Sequence, residues 1–114
     1  MVRRIVSHVL VQAGYEVVEA GDGLRAVELA LARKPALAIL DIELPELNGI
    51  EALRRMRANG ALTAMPAIML TGFGDQPHVV QAADAGATEY IVKSELKIKH
   101  LLSMVQGILA EAAA

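Results

Sequence analysis

Three polar residues each follow directly on a short apolar run: Asp41 after ALAIL, Thr71 after AIML and Lys93 after YIV. If those runs are neighbouring parallel strands, a carboxylate, a hydroxyl and an ammonium emerge together at the carboxyl edge of one sheet. Open α/β sheets place their ligand crevice at that edge. The trio suits a carboxylate that accepts a phosphoryl group. Such an acid must be ionised and reachable, a cation must meet the charge on the phosphoryl oxygens, and a hydroxyl can bind another of them. Adjacent strands lie ~4.8 Å apart, so with the strands in chain order Thr71 sits one strand from Asp41 and Lys93 two. A lysine stem covers that second gap. Taken singly, each residue has an ordinary explanation as a turn acid, a turn threonine or a solvated lysine. Their coincidence on three consecutive strand ends carries the argument.

The elements that must position them alternate along the chain. Val2, Ile5, Val6, Val9, Leu10 and Ala13 recur at helical spacing, with Gly14 as a C-terminal stop. Residues 16–20 read as a strand, and Asp22 can cap a helix carrying Leu24, Val27 and Leu31 that ends before Pro35. Residues 37–40 form a wholly apolar run of the kind a strand buried on both faces shows. After Asp41 the loop IELPELNG leads to Asn48, an N-cap for a helix through Ile50, Leu53 and Met56 that stops near Asn59 and Gly60. Residues 67–70 are the next strand, residues 71–75 a glycine-rich loop, and Asp75 caps a helix with Pro77 in its first turn. Gly86 ends that helix. Residues 89–92 form the last strand, and Ile98, Leu101, Leu102, Val105, Ile108 and Leu109 mark a final amphipathic helix. Four strands alternating with five helices predict βαβ units and a parallel sheet.

The 114 residues bound this reading as one domain, residues 1–114, with one core. With 54% hydrophobic but only 3% aromatic residues, that core must be aliphatic. A formal charge of -2 and a pI near 5.9 argue against nucleic-acid binding, which wants a basic face. The absence of cysteine excludes disulfides, thiolate nucleophiles and Cys-ligated zinc. Apolar stretches are broken well before the roughly 20 residues of a membrane span, and the start lacks a signal-peptide core. A soluble cytoplasmic protein is expected.

The segments AILDIELPELNGIEALRRMR, PAIMLTGFGD and AGATEYIVKS, with GYEVVEAGDG before them, resemble the receiver domain of bacterial two-component response regulators. The resemblance runs along nearly the whole chain, in order and with family-like spacing. It implies a flavodoxin-like, doubly wound parallel sheet, of which the handedness and edge-site rules are general. By resemblance, Asp41 is the phospho-acceptor, loaded by a histidine kinase or phosphotransfer protein. Thr71 is the switch hydroxyl, Lys93 the phosphoryl contact, and Tyr90 the aromatic that turns inward when Thr71 moves. Glu43 falls where the family offers a backbone carbonyl to Mg²⁺, beside Asp41 itself, and Pro45 and Gly49 match the loop that shapes the site. Ser94 departs from the family, standing where a proline after a cis peptide is usual.

The resemblance also marks a gap. The family begins with a central strand ending in two acidic residues that hold Mg²⁺, and no strand or acidic pair precedes Gly14. Mg²⁺ prefers several oxygen ligands in an octahedral shell, so the metal site is expected to be weak. Arg3 and Arg4 lie in the first turn of the first helix, where cations oppose the helix dipole. A late start or a fragment would explain both features. Otherwise, residues 16–20 would move beside residues 37–40 to give a sheet in order 2-3-4-5, or a swapped homodimer would lend a strand.

The expected function is a phospho-accepting module that is not an enzyme in the ordinary sense. It signals to a protein partner docked on the last helices and strand, because no output domain follows in this sequence. The rival is a pseudo-receiver that binds a partner without being phosphorylated; the absent acidic pair favours it, while Asp41, Thr71, Tyr90 and Lys93 together favour the first. A small flavodoxin-like nucleotide or flavin binder is disfavoured, because no loop carries a G-x-G-x-x-G fingerprint. His8, His78 and His100 fall on three separate helices without metal-ligand spacing and are expected on the surface.

Overall fold

Three wholly or largely apolar runs pair as parallel strands, β1 Ala38–Asp41, β2 Ala67–Thr71 and β3 Glu89–Val92, in the order β1-β2-β3. This computed structural model describes residues 2–72 and 76–113. Among these residues five α-helices surround the sheet: α1 Val2–Gln12, α2 Gly23–Arg33, α3 Gly49–Arg57, α4 Gln76–Asp84 and α5 Ile98–Ala113. Parallel neighbours need long crossovers, and α3 and α4 supply them.

Side-chain alternation along the strands divides the core into two layers. Leu40, Ala67 and Met69 face one side, where Ala30 of α2, Leu53 and Met56 of α3 and Ala82 of α4 cover them. Ile39, Ile68, Leu70 and Ile91 face the other, under Val6 and Leu10 of α1 and Leu101 and Val105 of α5. Every residue of β2 is buried, as a central strand covered on both faces must be. Fully buried side chains such as Leu53, Met69 and Leu101 contribute about 1.5–3 kcal/mol each. The doubly wound arrangement expected from sequence is present, with three helices on one face and the first and last on the other.

Among the described residues the sheet has three strands rather than the expected four. Residues 16–20 have a strand's composition but run as irregular chain and do not join β1. A strand exists only through its backbone partner, and among the described residues the outer edge of β1 has none. Side chains tie the segment between two helices instead. Glu19 meets Arg3 at 3.6 Å and accepts from Ser7 Oγ at 3.1 Å, while Glu16 pairs with Arg33 at 2.9 Å. The sheet order 2-3-4-5 is therefore not adopted, and Arg3 of the first turn faces the Glu19 carboxylate.

Helix ends follow the sequence closely. Asp22 and Asn48 cap α2 and α3 through the N–H groups of Arg25 and Glu51. At Gly14, φ is +97°, and the Tyr15 and Gly14 N–H groups return to the Leu10 and Val11 carbonyls. Gly86, at φ +99°, closes α4 in the same way on Ala82 and Ala83. Both are Schellman ends, which favour glycine because a side chain crowds the backbone at positive φ. Asp75 and the centre of the glycine-rich loop, residues 73–75, lie outside the described residues.

Candidate functional site

The strand register brings the three chemical residues to one edge. Asp41 lies opposite Leu70 and Thr71 opposite Val92, and pairing continues one step further as Ile42 N–H donates to the Leu70 carbonyl at 2.8 Å. Lys93 follows at once, opening a 3₁₀ turn, Lys93–Glu95. Its ammonium reaches back across the sheet to Asp41 Oδ2 at 2.6 Å. Asp41 Oδ1 accepts from the Glu43 N–H at 2.9 Å, which fixes the carboxylate plane. Both side chains stay partly open to solvent, 30% for Asp41 and 25% for Lys93, whereas Thr71 is fully buried. The acid is thus ionisable, oriented and approachable, with a cation already against it.

Electrostatics tighten that arrangement. Burial pulls the Lys93 ammonium down, but hydrogen bonding and charge from Asp41, joined by Glu43, outweigh it and raise its pKa above the ordinary lysine value. Lys93 is therefore a permanent cation at neutral pH.

The loop after β1 holds the acid from the other side. Gly49 N–H donates to the Ile42 carbonyl at 2.9 Å, and a Cβ on Gly49 would lie 2.2 Å from the Asp41 carbonyl oxygen. Gly23 is equally tight, since a Cβ there would lie 1.7 Å from the Leu47 carbonyl oxygen, and its N–H donates to Pro45. The loop that shapes the site is thus stapled to both β1 and α2. Tyr90 is half-buried on β3 opposite Met69 and packs into the same core layer as Met69, two residues before Thr71. Thr71 and Tyr90 therefore share one face of the sheet. No cis peptide occurs among the described residues, and the Ser94 segment is closed by Leu96 N–H on the Lys93 carbonyl.

One participant was not legible as such. Sequence reading gave Glu43 only a backbone carbonyl, but its side chain enters the site. Glu43 Oε1 accepts from the Gly72 N–H at 2.8 Å, and Oε2 lies 3.5 Å from Lys93 Nζ. The signal available was an acid two residues beyond another acid at a strand end. Glu43 also lines a cleft of about 430 Å³ with Asn48, Glu51, Arg54 and Gln81, floored in part by Ile42 and Ile50. His8 and His100 are exposed, and the described residues contain no group of three or more His, Asp or Glu able to hold a metal. Both Asp41 oxygens are engaged, one by a cation. The acids that meet Lys93 here are Asp41 and Glu43, two carboxylates where Mg²⁺ commonly keeps several waters in its shell.

A parallel three-stranded sheet covered by helices on both faces, with an Asp–Lys pair and a buried threonine at its carboxyl edge, defines a doubly wound α/β class with its polar site at the strand ends. The family model described as "Response regulator receiver domain" matches residues 1–106, and this chain belongs to that family. It is 40% identical over 94 residues to the transcriptional regulatory protein PdtaR of Mycobacterium tuberculosis, covering 82% of this chain and 44% of that protein. The chain spans less than half the length of the curated relatives it matches. A putative response regulator from Chloroflexus aurantiacus superposes with a TM-score of 0.86 at 32% identity, covering 94% of this chain and 87% of that one. The receiver domain of the sensor histidine kinase PA1611 from Pseudomonas aeruginosa, solved with magnesium in its active-site cleft, gives 0.85 at 28% identity, covering 94% and 87%. Among the described residues no helix is long and apolar enough to cross a membrane.

Proposed function

We propose that this chain, acting as a single receiver domain over residues 1–114, takes a phosphoryl group on Asp41 and relays its arrival to a protein partner. The donor is a phosphohistidine of a histidine kinase or phosphotransfer protein. A carboxylate oxygen of Asp41 forms the new P–O bond as the P–N bond breaks, and the imidazole leaves with a proton. Lys93 meets the charge on the phosphoryl oxygens. Thr71, buried one strand away, supplies a hydroxyl to another oxygen, and Tyr90 on the same face responds to its movement. The partner docks on the surface of β3, α4 and α5, in the cytoplasm and without nucleic acid. The observation that supports this reading best is the 2.6 Å contact between Lys93 and an Asp41 carboxylate left 30% open.

A second reading has its own support. A related receiver carries magnesium, whereas the described residues of this chain contain no cluster of three or more His, Asp or Glu that could hold a metal. On that reading the chain is a pseudo-receiver that binds its partner without phosphorylation. Intact mass after incubation with a small phosphodonor and excess Mg²⁺, beside Asp41→Ala, separates the two. Gain of one phosphoryl group in the wild type alone is the expected result. No gain in either protein would overturn the first reading for this chain and leave a pseudo-receiver or a truncated receiver, which the same assay with an added upstream strand carrying two acids separates.

A further inference from the structure

We infer that the Glu43 side chain is an internal competitor for the incoming anion and sets how readily the site takes a phosphoryl group. The inference rests on the phospho-acceptor reading for its biological meaning, but its chemistry stands on geometry alone. Beside Asp41, a backbone N–H and an ammonium converge on one carboxylate: Gly72 N–H and Lys93 Nζ. Such a pair is an anion site, and charge-assisted donors of this kind bind oxyanions best. Here it already holds an anion of the chain itself. One Glu43 oxygen accepts from Gly72 at 2.8 Å, and the other lies 3.5 Å from the ammonium. A tetrahedral oxyanion beside Asp41 needs the same two donors, so it binds only by displacing the carboxylate.

Displacement is feasible because Glu43 is 41% exposed and lines the cleft that contains Arg54. Arg54 offers the displaced carboxylate a second cation, although Glu51, 3.6 Å from that guanidinium, competes for it. The site therefore has two carboxylates with opposite duties. Asp41 accepts the phosphoryl group, and Glu43 holds its place until it comes.

The test needs no metal. Orthophosphate is titrated into ¹⁵N-labelled wild type, Glu43→Ala, Glu43→Gln and Glu95→Gln, following the Gly72 amide resonance. Glu95 is exposed two residues beyond Lys93 and controls for loss of a nearby negative charge. Glu43→Ala should tighten phosphate binding about tenfold, the scale of one charge-assisted hydrogen bond. Glu43→Gln should fall between it and wild type, because its amide oxygen still accepts from Gly72. Glu95→Gln should stay close to wild type. Equal affinity in wild type and Glu43→Ala, or an equal gain in Glu95→Gln, overturns the inference. The same variants are then weighed after exposure to phosphodonor. If none gains a phosphoryl group the receiver reading fails, yet the phosphate titration still decides the role of Glu43.

Discussion

Lys93 is the residue through which charge and stability are coupled. Its ammonium is shared by Asp41 at 2.6 Å and Glu43 at 3.5 Å, and its pKa is raised. A folded pKa above the unfolded one means that folding favours the charged form. The stabilisation is complete below the ordinary lysine value of about 10.4 and is lost as pH rises through the folded value. Urea midpoints should therefore fall in the alkaline range more steeply for wild type than for Lys93→Met. At neutral pH the substitution should cost about 0.5–1 kcal/mol, given the partial exposure of the pair. Parallel alkaline profiles for the two proteins would show that the pair contributes nothing. Sequence alone placed Asp41, Thr71 and Lys93 at one sheet edge because each closes an apolar run, and the strand register puts them there. Sequence missed the Glu43 carboxylate because a loop side chain's direction depends on how the loop folds, which here is fixed by Gly49 against β1.

At the scale of elements, helix ends were legible because their chemistry is local: Asp22, Asn48, Gly14 and Gly86 each act within a few residues. The left-handed Lys34 that closes α2 was not legible, since lysine carries no preference for that conformation. The strand expected at residues 16–20 failed for the opposite reason. Its β-branched composition suits a strand, but a strand is a relation between two segments, and this one is tied to α1 and α2 by Glu19 and Glu16. The end of α4 also joins elements. Arg57, in the last turn of α3, donates to the Gly86 and Leu62 carbonyls, both at 2.8 Å, and burial lowers its pKa. A Cβ on Gly86 would lie 2.9 Å from Arg57 Nε, at a φ of +99°. Gly86→Ala should therefore cost about 1–2 kcal/mol from backbone strain alone, read as a lower urea midpoint with an unchanged slope. A midpoint equal to wild type would mean that the α3–α4 junction relaxes without penalty.

For the molecule as a whole, the sheet is covered on both faces but open at its outer strands. β2 is buried throughout, whereas β1 presents an outer edge without a strand partner among the described residues. Unpaired edges template association with other chains. Light scattering over a concentration series should show self-association, and a constant monomer mass would exclude it. The opposite end of β1 behaves differently. There the Asp41 carbonyl is approached so closely by Gly49 that no larger residue fits between them. In a library of variants scored only for signalling, position 49 should accept glycine alone, although it lies eight residues from the acid. Its intolerance would record the shape of a turn, and a survey of substitutions would mistake a hinge pin for a reagent.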